Sequence, residues 1–241
     1  MTQPNFNSWQ QRTALLLGEA GCARLHTAHV LVAGLGGVGG YAAEALARSG
    51  VGALTLVDDD LVQHSNRNRQ LVALNSTVGR AKVEVMAERI ADIHPGCAVT
   101  ALAQRINAES IPSLLIPQYT AVVDAIDSLT AKLDLLAAAH SNAVLVASSM
   151  GAGGRSDPSA LRMGDLMESR NCGLARAVRQ GLRRRGIERG ILAVWSEETA
   201  QPPASADNGQ RIHGTLSYLP GLFGLSLAGM VIQRLLETRL R

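Results

Sequence analysis

The chain has 241 residues, 46% hydrophobic and 18% charged, with 23 basic and 20 acidic residues and a net charge of +3. That is too apolar for a disordered chain and long enough for one or two domains with a sizeable core. Aromatics at 3% exclude the stacking platforms of single-strand-binding proteins, and three cysteines (Cys22, Cys97, Cys172) with no C-x-x-C exclude a disulfide framework and a Cys-rich zinc site.

Residues 10–26 are predicted as a helix with Leu15, Leu16 and Leu17 on its apolar side. No apolar signal-like run precedes it, and with the unpaired cysteines this predicts a cytoplasmic protein. HVLVA (29–33) is a short apolar run ending in glycines, hence a buried strand. An Ala-rich helix follows over 41–49, then a strand ALTLV (53–57) ending in acids, and helical spacing over 78–93. AVTALA (98–103), AVVDA (121–125) and residues 143–148 are strands, with a helix over 129–140. Alternating strand and helix predict an α/β, Rossmann-like, doubly wound and mostly parallel sheet with helices on both faces. No linker divides the chain, so residues 1–241 are read as one domain: an N-terminal helix, a nucleotide-binding half over 29–150, and a basic and C-terminal part over 151–241.

The first strand runs into GLGGVGG (34–40), where Gly34, Gly36 and Gly39 fit G-x-G-x-x-G and Gly37 lies inside the same loop. Such a loop lets backbone approach phosphate, and the helix N-terminus offers free N–H groups to the anion. Asp58 stands 19 residues beyond Gly39 at the end of the next strand, the position of an acid that binds a ribose hydroxyl. The motif alone does not separate NAD from ATP. The polar, cationic run NRNRQ (66–70) and Lys82 suit a triphosphate better than a pyrophosphate already held by backbone N–H groups. Asp127 follows the AVVDA strand and faces the same crevice, where a carboxylate beside phosphates suits Mg. Asp124 is expected to be structural, Lys132 to have a weaker claim on the crevice, and His64 to be a surface residue.

GLGGVGG, VDDD (57–60), NRNRQ, GRAK (79–82) and DAID (124–127), in this order and spacing, resemble the adenylating domain of ubiquitin-activating-enzyme-like proteins. The resemblance implies ATP and Mg as cofactors. It implies Asp58 on the ribose, with Asp60 beside it in the same motif, and Asn66, Arg69 and Lys82 on the phosphates. Asp127, with the adjacent Ser128, is implied by the phosphates and Mg. It further implies a homodimer, because the family often borrows an arginine from a partner's N-terminal helix, and Arg12 sits at that place.

The second half is unevenly charged. Residues 170–189 carry seven arginines and one acid, a net of +6 within a total of +3, so the rest of the chain sums to −3. Leu174, Val178 and Leu182 recur at the spacing of one helix face, leaving Arg176, Arg179 and Arg183, with Arg184 and Arg185, to form a basic surface suited to an anionic partner such as nucleic acid, which the resemblance given below implies is tRNA. Residues 212–233 are uncharged and long enough to span a bilayer, but Pro220 and four glycines break the run. They are read instead as a strand or loop followed by a buried helix over 222–240, with no membrane partner. GAGGRSDPSALRMGDL (151–166), LARAVRQGLRRRGI (174–187), VWSEE (194–198) and GTLSYLPGLFGLSLAGMVIQ (214–233) resemble the bacterial enzymes that dehydrate threonylcarbamoyladenosine in tRNA. That resemblance implies adenylation of the substrate's carboxylate and ring closure with loss of water, without a thioester cysteine. SRNCG (169–173) departs from the Asp-Pro-type turn usual there. The alternative is an adenylating or sulfur-relay enzyme acting on a ubiquitin-like or desulfurase partner, for which Cys172 is the best thiol.

Overall fold

The computed structural model describes residues 9–115, 118–205 and 211–237. Helix α1 (Gln11–Thr27) leads into strand β1 (His29–Ala33), followed by α2 (Gly39–Arg48), β2 (Ala53–Val57), α3 (Lys82–Ile93) and β3 (Ala98–Leu102). The short α4 (Ile111–Leu114), β4 (Ala121–Asp124), α5 (Leu129–Ser141) and β5 (Leu145–Ser149) come next. Then follow β6 (Leu161–Asp165), α6 (Gly173–Arg183), β7 (Leu192–Ser196), a small hairpin of β8 (Ala204–Ser205) and β9 (Arg211–Ile212), and α7 (Tyr218–Leu236).

Seven strands form one sheet in the order β3-β2-β1-β4-β5-β7-β6. All neighbours are parallel except β6, which pairs antiparallel with β7. The chain winds outward from β1 to β3, then returns to the other side of β1 at β4. That reversal opens a crevice at the C-terminal ends of β1 and β4.

Because strand side chains alternate in direction, each buried strand feeds two cores. Val30, Val32, Leu54, Leu56, Ala121 and Val123 face α2, α3 and α7. Leu31, Ala33, Val57, Val122 and Val146 face α4, α5 and α6. This is why the central strands read as continuous apolar runs. β3 lies at an edge and is half exposed, with its solvent side carrying Thr100.

Several expectations are corrected. Gly18 adopts φ +69, a left-handed conformation that breaks α1, so its front half does not meet the core along an apolar face. Leu15 and Leu16 are instead 64% and 84% exposed. The helical spacing over 78–93 begins in earnest only at Lys82, because Gly79 has φ +87 and Leu61 bridges to Ala81. The polar stretch QPPASADNGQ (201–210), which reads as a loop, contains β8, with residues 206–210 outside the described residues. The C-terminal helix starts at Tyr218 rather than 222, since Pro220 fits a first helical turn where no N–H partner is needed. Its expected end at 240 falls outside the described residues. α7 is long and apolar enough to cross a membrane, yet Leu219, Phe223, Leu227, Ala228 and Val231 are fully buried against α2 and the sheet. Truncating a side chain such as Phe223 there costs about 3–5 kcal/mol. β6 has no strong apolar signal of its own; pairing with β7 makes it a strand.

Candidate active site

The glycine loop joins β1 to α2 at the crevice. Gly34 has φ +86, and a Cβ there would lie 2.8 Å from the Ala125 carbonyl in the loop after β4. A Cβ on Gly39 would lie 1.7 Å from the Gly34 carbonyl. Both glycines are therefore required for the loop to fold tightly against the β4 exit. Gly37 lies under Arg69 and Pro220, with its Cβ direction 3.4 Å from Arg69 Cγ and 3.1 Å from Pro220 Cβ. Gly36 faces the amide of Gln70 at 3.8 Å. No side chain caps α2, so its N-terminus is open to an anion.

Asp58 couples the loop to the β2 exit. Its Oδ2 accepts a hydrogen bond from Leu35 N at 2.6 Å, and its Oδ1 accepts one from Asp60 N at 2.9 Å. Lys82 opens α3, is buried, and places Nζ 2.6 Å from Asp60 Oδ2 and 3.7 Å from Asp58 Oδ1. Burial pushes the Asp58 carboxyl above its ordinary range; the Lys82 ammonium and the two N–H donors oppose that push. Asp58, Asp59 and Asp60 bring carboxylate oxygens within 4.8 Å of one another. Lys82 already compensates two of these acids, so this group is a poor cation site.

Asn66 is buried, and its Oδ1 accepts from Gln63 N at 3.1 Å, holding the turn that precedes Arg69. Arg69 donates to Ser65 O at 3.0 Å and to Asn68 Oδ1 at 2.9 Å, which steadies its guanidinium, while its Cγ lies against Gly37. His64 is exposed, in line with expectation. Gln70 is 8% exposed, and its Oε1 has no hydrogen-bond partner among the described residues. A buried acceptor without a donor is costly. Asp127 and Ser128 are exposed at the start of α5, with the Ser128 hydroxyl not used to cap the helix. One exposed carboxylate beside a phosphate site matches the way Mg is usually held.

Arg12 is exposed on α1 and forms no hydrogen bond or ion pair with these groups among the described residues. The crevice therefore assembles Asp58, Asp60, Lys82, Asn66, Arg69 and the glycines, with Asp127 and Ser128 at the neighbouring strand exit, and leaves Arg12 apart. The contact of the segment entering α7 with the NRNRQ run had no local signal in the sequence. Asn68 Nδ2 donates to Thr215 O at 3.0 Å, and Tyr218 Oη donates to Ser156 O at 2.5 Å. The segment entering α7 thus bridges the NRNRQ run and the loop after β5 across 147 residues of sequence.

The basic segment forms α6, whose Ala175, Val178 and Leu182 are buried. Its arginines divide. Arg179 donates to the Ser169 carbonyl and, at 2.5 Å, to Ser169 Oγ. Arg185 donates to Asp134 Oδ1 at 2.6 Å and to Leu133 O at 2.9 Å. Both serve the fold, so the expected five-arginine surface is narrower than its charge count. Arg176, Arg183 and Arg184 are exposed and have no side-chain partner among the described residues. The SRNCG departure is absorbed locally: Asn171 takes φ +54, Ser169 is the buried acceptor for Arg179, and Cys172 caps α6. Cys172 is buried with its Sγ accepting from Ala175 N at 3.5 Å, an arrangement that keeps the thiol from a thioester role.

The sequence pattern of the ThiF family matches residues 10–240. A tRNA threonylcarbamoyladenosine dehydratase of Bacillus subtilis is 36% identical over 238 residues, covering 94% of each protein. That of Escherichia coli is 42% identical over 180 residues, covering 73% of this chain and 67% of that protein. A crystal structure of the E. coli tRNA N6-threonylcarbamoyladenosine dehydratase in complex with ATP aligns with a TM-score of 0.86 at 36% identity, covering 95% of each chain.

Proposed function

Because the chain belongs to the ThiF family, we infer that it is an ATP-dependent dehydratase acting on threonylcarbamoyladenosine in tRNA. The observation that carries this reading is the end-to-end likeness to dehydratases that bear this name, combined with the crevice of Asp58, Lys82 and Arg69 around the glycine loop. One oxygen of the substrate carboxylate attacks the α-phosphate of ATP, and pyrophosphate leaves. A nucleophile of the same nucleoside then attacks the activated carbonyl, AMP departs, and a ring closes with net loss of water. A carboxylate nucleophile needs no general base. The catalytic task is therefore charge stabilisation, commonly the greatest single contribution to rate in such reactions.

In this reading Asp58 accepts the ribose hydroxyl, while Lys82 and Arg69 meet the phosphates. Lys82 is already desolvated beside two acids, so it is preorganised and exchanges carboxylate for phosphate contact. Asp127 would hold Mg, which would supply neutralisation of charge on the phosphates. Arg12 acts in the site of a second copy, and the chain works as a homodimer; exposed Leu15 and Leu16 on the same helix supply apolar surface for that contact. Arg176, Arg183 and Arg184 meet tRNA phosphates, within a single adenylating domain that works in the cytoplasm.

The test is incubation with ATP, Mg and threonylcarbamoyl-bearing tRNA, followed by nucleoside mass analysis. A nucleoside lighter by one water, with pyrophosphate and AMP released in step, is the expected result. Pyrophosphate release that requires a protein ending in Gly-Gly and ignores the tRNA would replace this reading with the relay.

A further inference from the structure

The chain has two lysines against 21 arginines, and both are buried beside acids. Lys82 belongs to the nucleotide site. Lys132 does not reach the crevice: it lies in the first turns of α5 and is 0% exposed, as is its partner Asp124. Its Nζ stands 2.5 Å from Asp124 Oδ2, donates to Ser149 O at 3.0 Å and approaches Ser148 Oγ at 3.4 Å. Ser148 Oγ donates to the same Asp124 oxygen at 2.6 Å. The other Asp124 oxygen accepts from Ile126 N at 3.1 Å.

Two features separate this cluster from ordinary core packing. First, a buried ion pair stabilises a fold poorly compared with apolar side chains of similar volume, so stability alone is a weak reason for it. Second, its bonds fall on the exits of two adjacent strands. Asp124 and Ser148 are register partners at the ends of β4 and β5. The Asp124–Lys132 bond closes a ring around residues 125–131, which carry Asp127 and Ser128, and the Ile126 N–H shapes that ring from within. The Ser149 bond fixes the start of the loop through Gly151 and Gly153, whose carbonyls accept from Arg155. An ammonium with three tetrahedral donors suits this junction; a planar guanidinium would not.

We propose that Lys132 is a positioning residue for adenylation: its buried ammonium joins Asp124 to the β5 exit and so sets both loops that flank the crevice. This rests on the dehydratase reading for its effect on turnover, but not for its effect on the loops.

The test compares wild type with Lys132→Met by amide hydrogen exchange on the protein without nucleotide, thermal melting, ATP binding and pyrophosphate release. Expected are faster exchange confined to residues 125–128 and 150–155, and turnover lower by about tenfold or more. ATP affinity in the absence of Mg should change less than turnover does. The Asp124→Asn, Lys132→Met double variant should regain melting temperature without regaining turnover, which a purely structural lysine would not produce. Wild-type exchange in both loops, or turnover restored by the double variant, overturns the proposal. If Lys132→Met does not fold, Ser148→Ala should show the same two-loop exchange in milder form, and wild-type exchange there overturns it equally. Inactivity of the wild type with tRNA would count against the dehydratase reading, while the exchange result still decides the role of Lys132.

Discussion

The nucleotide crevice and the basic helix α6 both concentrate charge, but they use it differently. In the crevice, opposite charges meet where Lys82 lies on Asp58 and Asp60, and Arg69 is steadied by neutral oxygens of Ser65 and Asn68. On α6 the charges share one sign, and the fold ties down Arg179, half-buried, and Arg185, still exposed, by bonds to loop and helix oxygens. A mixed-sign cluster gathered around one buried lysine is a built site. A single-sign run is a surface from which tertiary structure subtracts.

The largest expected effect tests the crevice. Lys82→Ala should lower ATP-dependent turnover at least about tenfold, about 1.4 kcal/mol of barrier, measured by pyrophosphate release; unchanged turnover would remove Lys82 from the phosphates. Next, Asp58→Ala should weaken ATP binding by roughly tenfold, the loss of a charged hydrogen bond worth about 1.5 kcal/mol, read by titration calorimetry. The same site carries a pH signature. Ribose recognition needs the ionised Asp58, whose carboxyl is raised by burial. ATP affinity should therefore fall on acidification before an exposed carboxylate titrates. Lys82→Ala removes an opposing charge, so it should move that acid limb to still higher pH.

On α6, replacing Arg176, Arg183 and Arg184 together by alanine should weaken tRNA binding and flatten its dependence on log salt by about 0.9 for each phosphate no longer neutralised. A slope equal to wild type would show that these cations do not meet phosphate. The smallest effect belongs to Arg185→Ala. Its pair with Asp134 is partly exposed, so about 1 kcal/mol or less of stability should be lost. A change in salt slope as large as that of the triple variant would erase the division between free and committed arginines.

Most of the crevice was legible in the sequence because its residues are short-range and periodic. GLGGVGG, Asp58, Asn66, Arg69 and Lys82 lie on consecutive strand exits and the turns that follow them, and each polar group is close in sequence to a recognisable strand or helix end. Asp124 was read as structural and is the buried partner of Lys132. Lys132 keeps only a weaker claim on the crevice in the sequence, because spacing along α5 does not say which way a side chain turns.

Other features depended on distance in sequence. Apolar alternation and the strand–helix rhythm determined a parallel α/β sheet, since burial on both faces dictates those patterns locally. Glycine positions determined the phosphate loop, because only glycine tolerates the close approach and the positive φ at Gly34. Tertiary structure alone decided that α1 exposes Leu15 and Leu16, that α7 begins beside the glycine loop, and which arginines have no side-chain partner among the described residues. The reason is common to all three. A side chain's neighbours, not its own identity, decide whether its hydrogen bonds and apolar surface are satisfied, and those neighbours come from segments far apart along the chain.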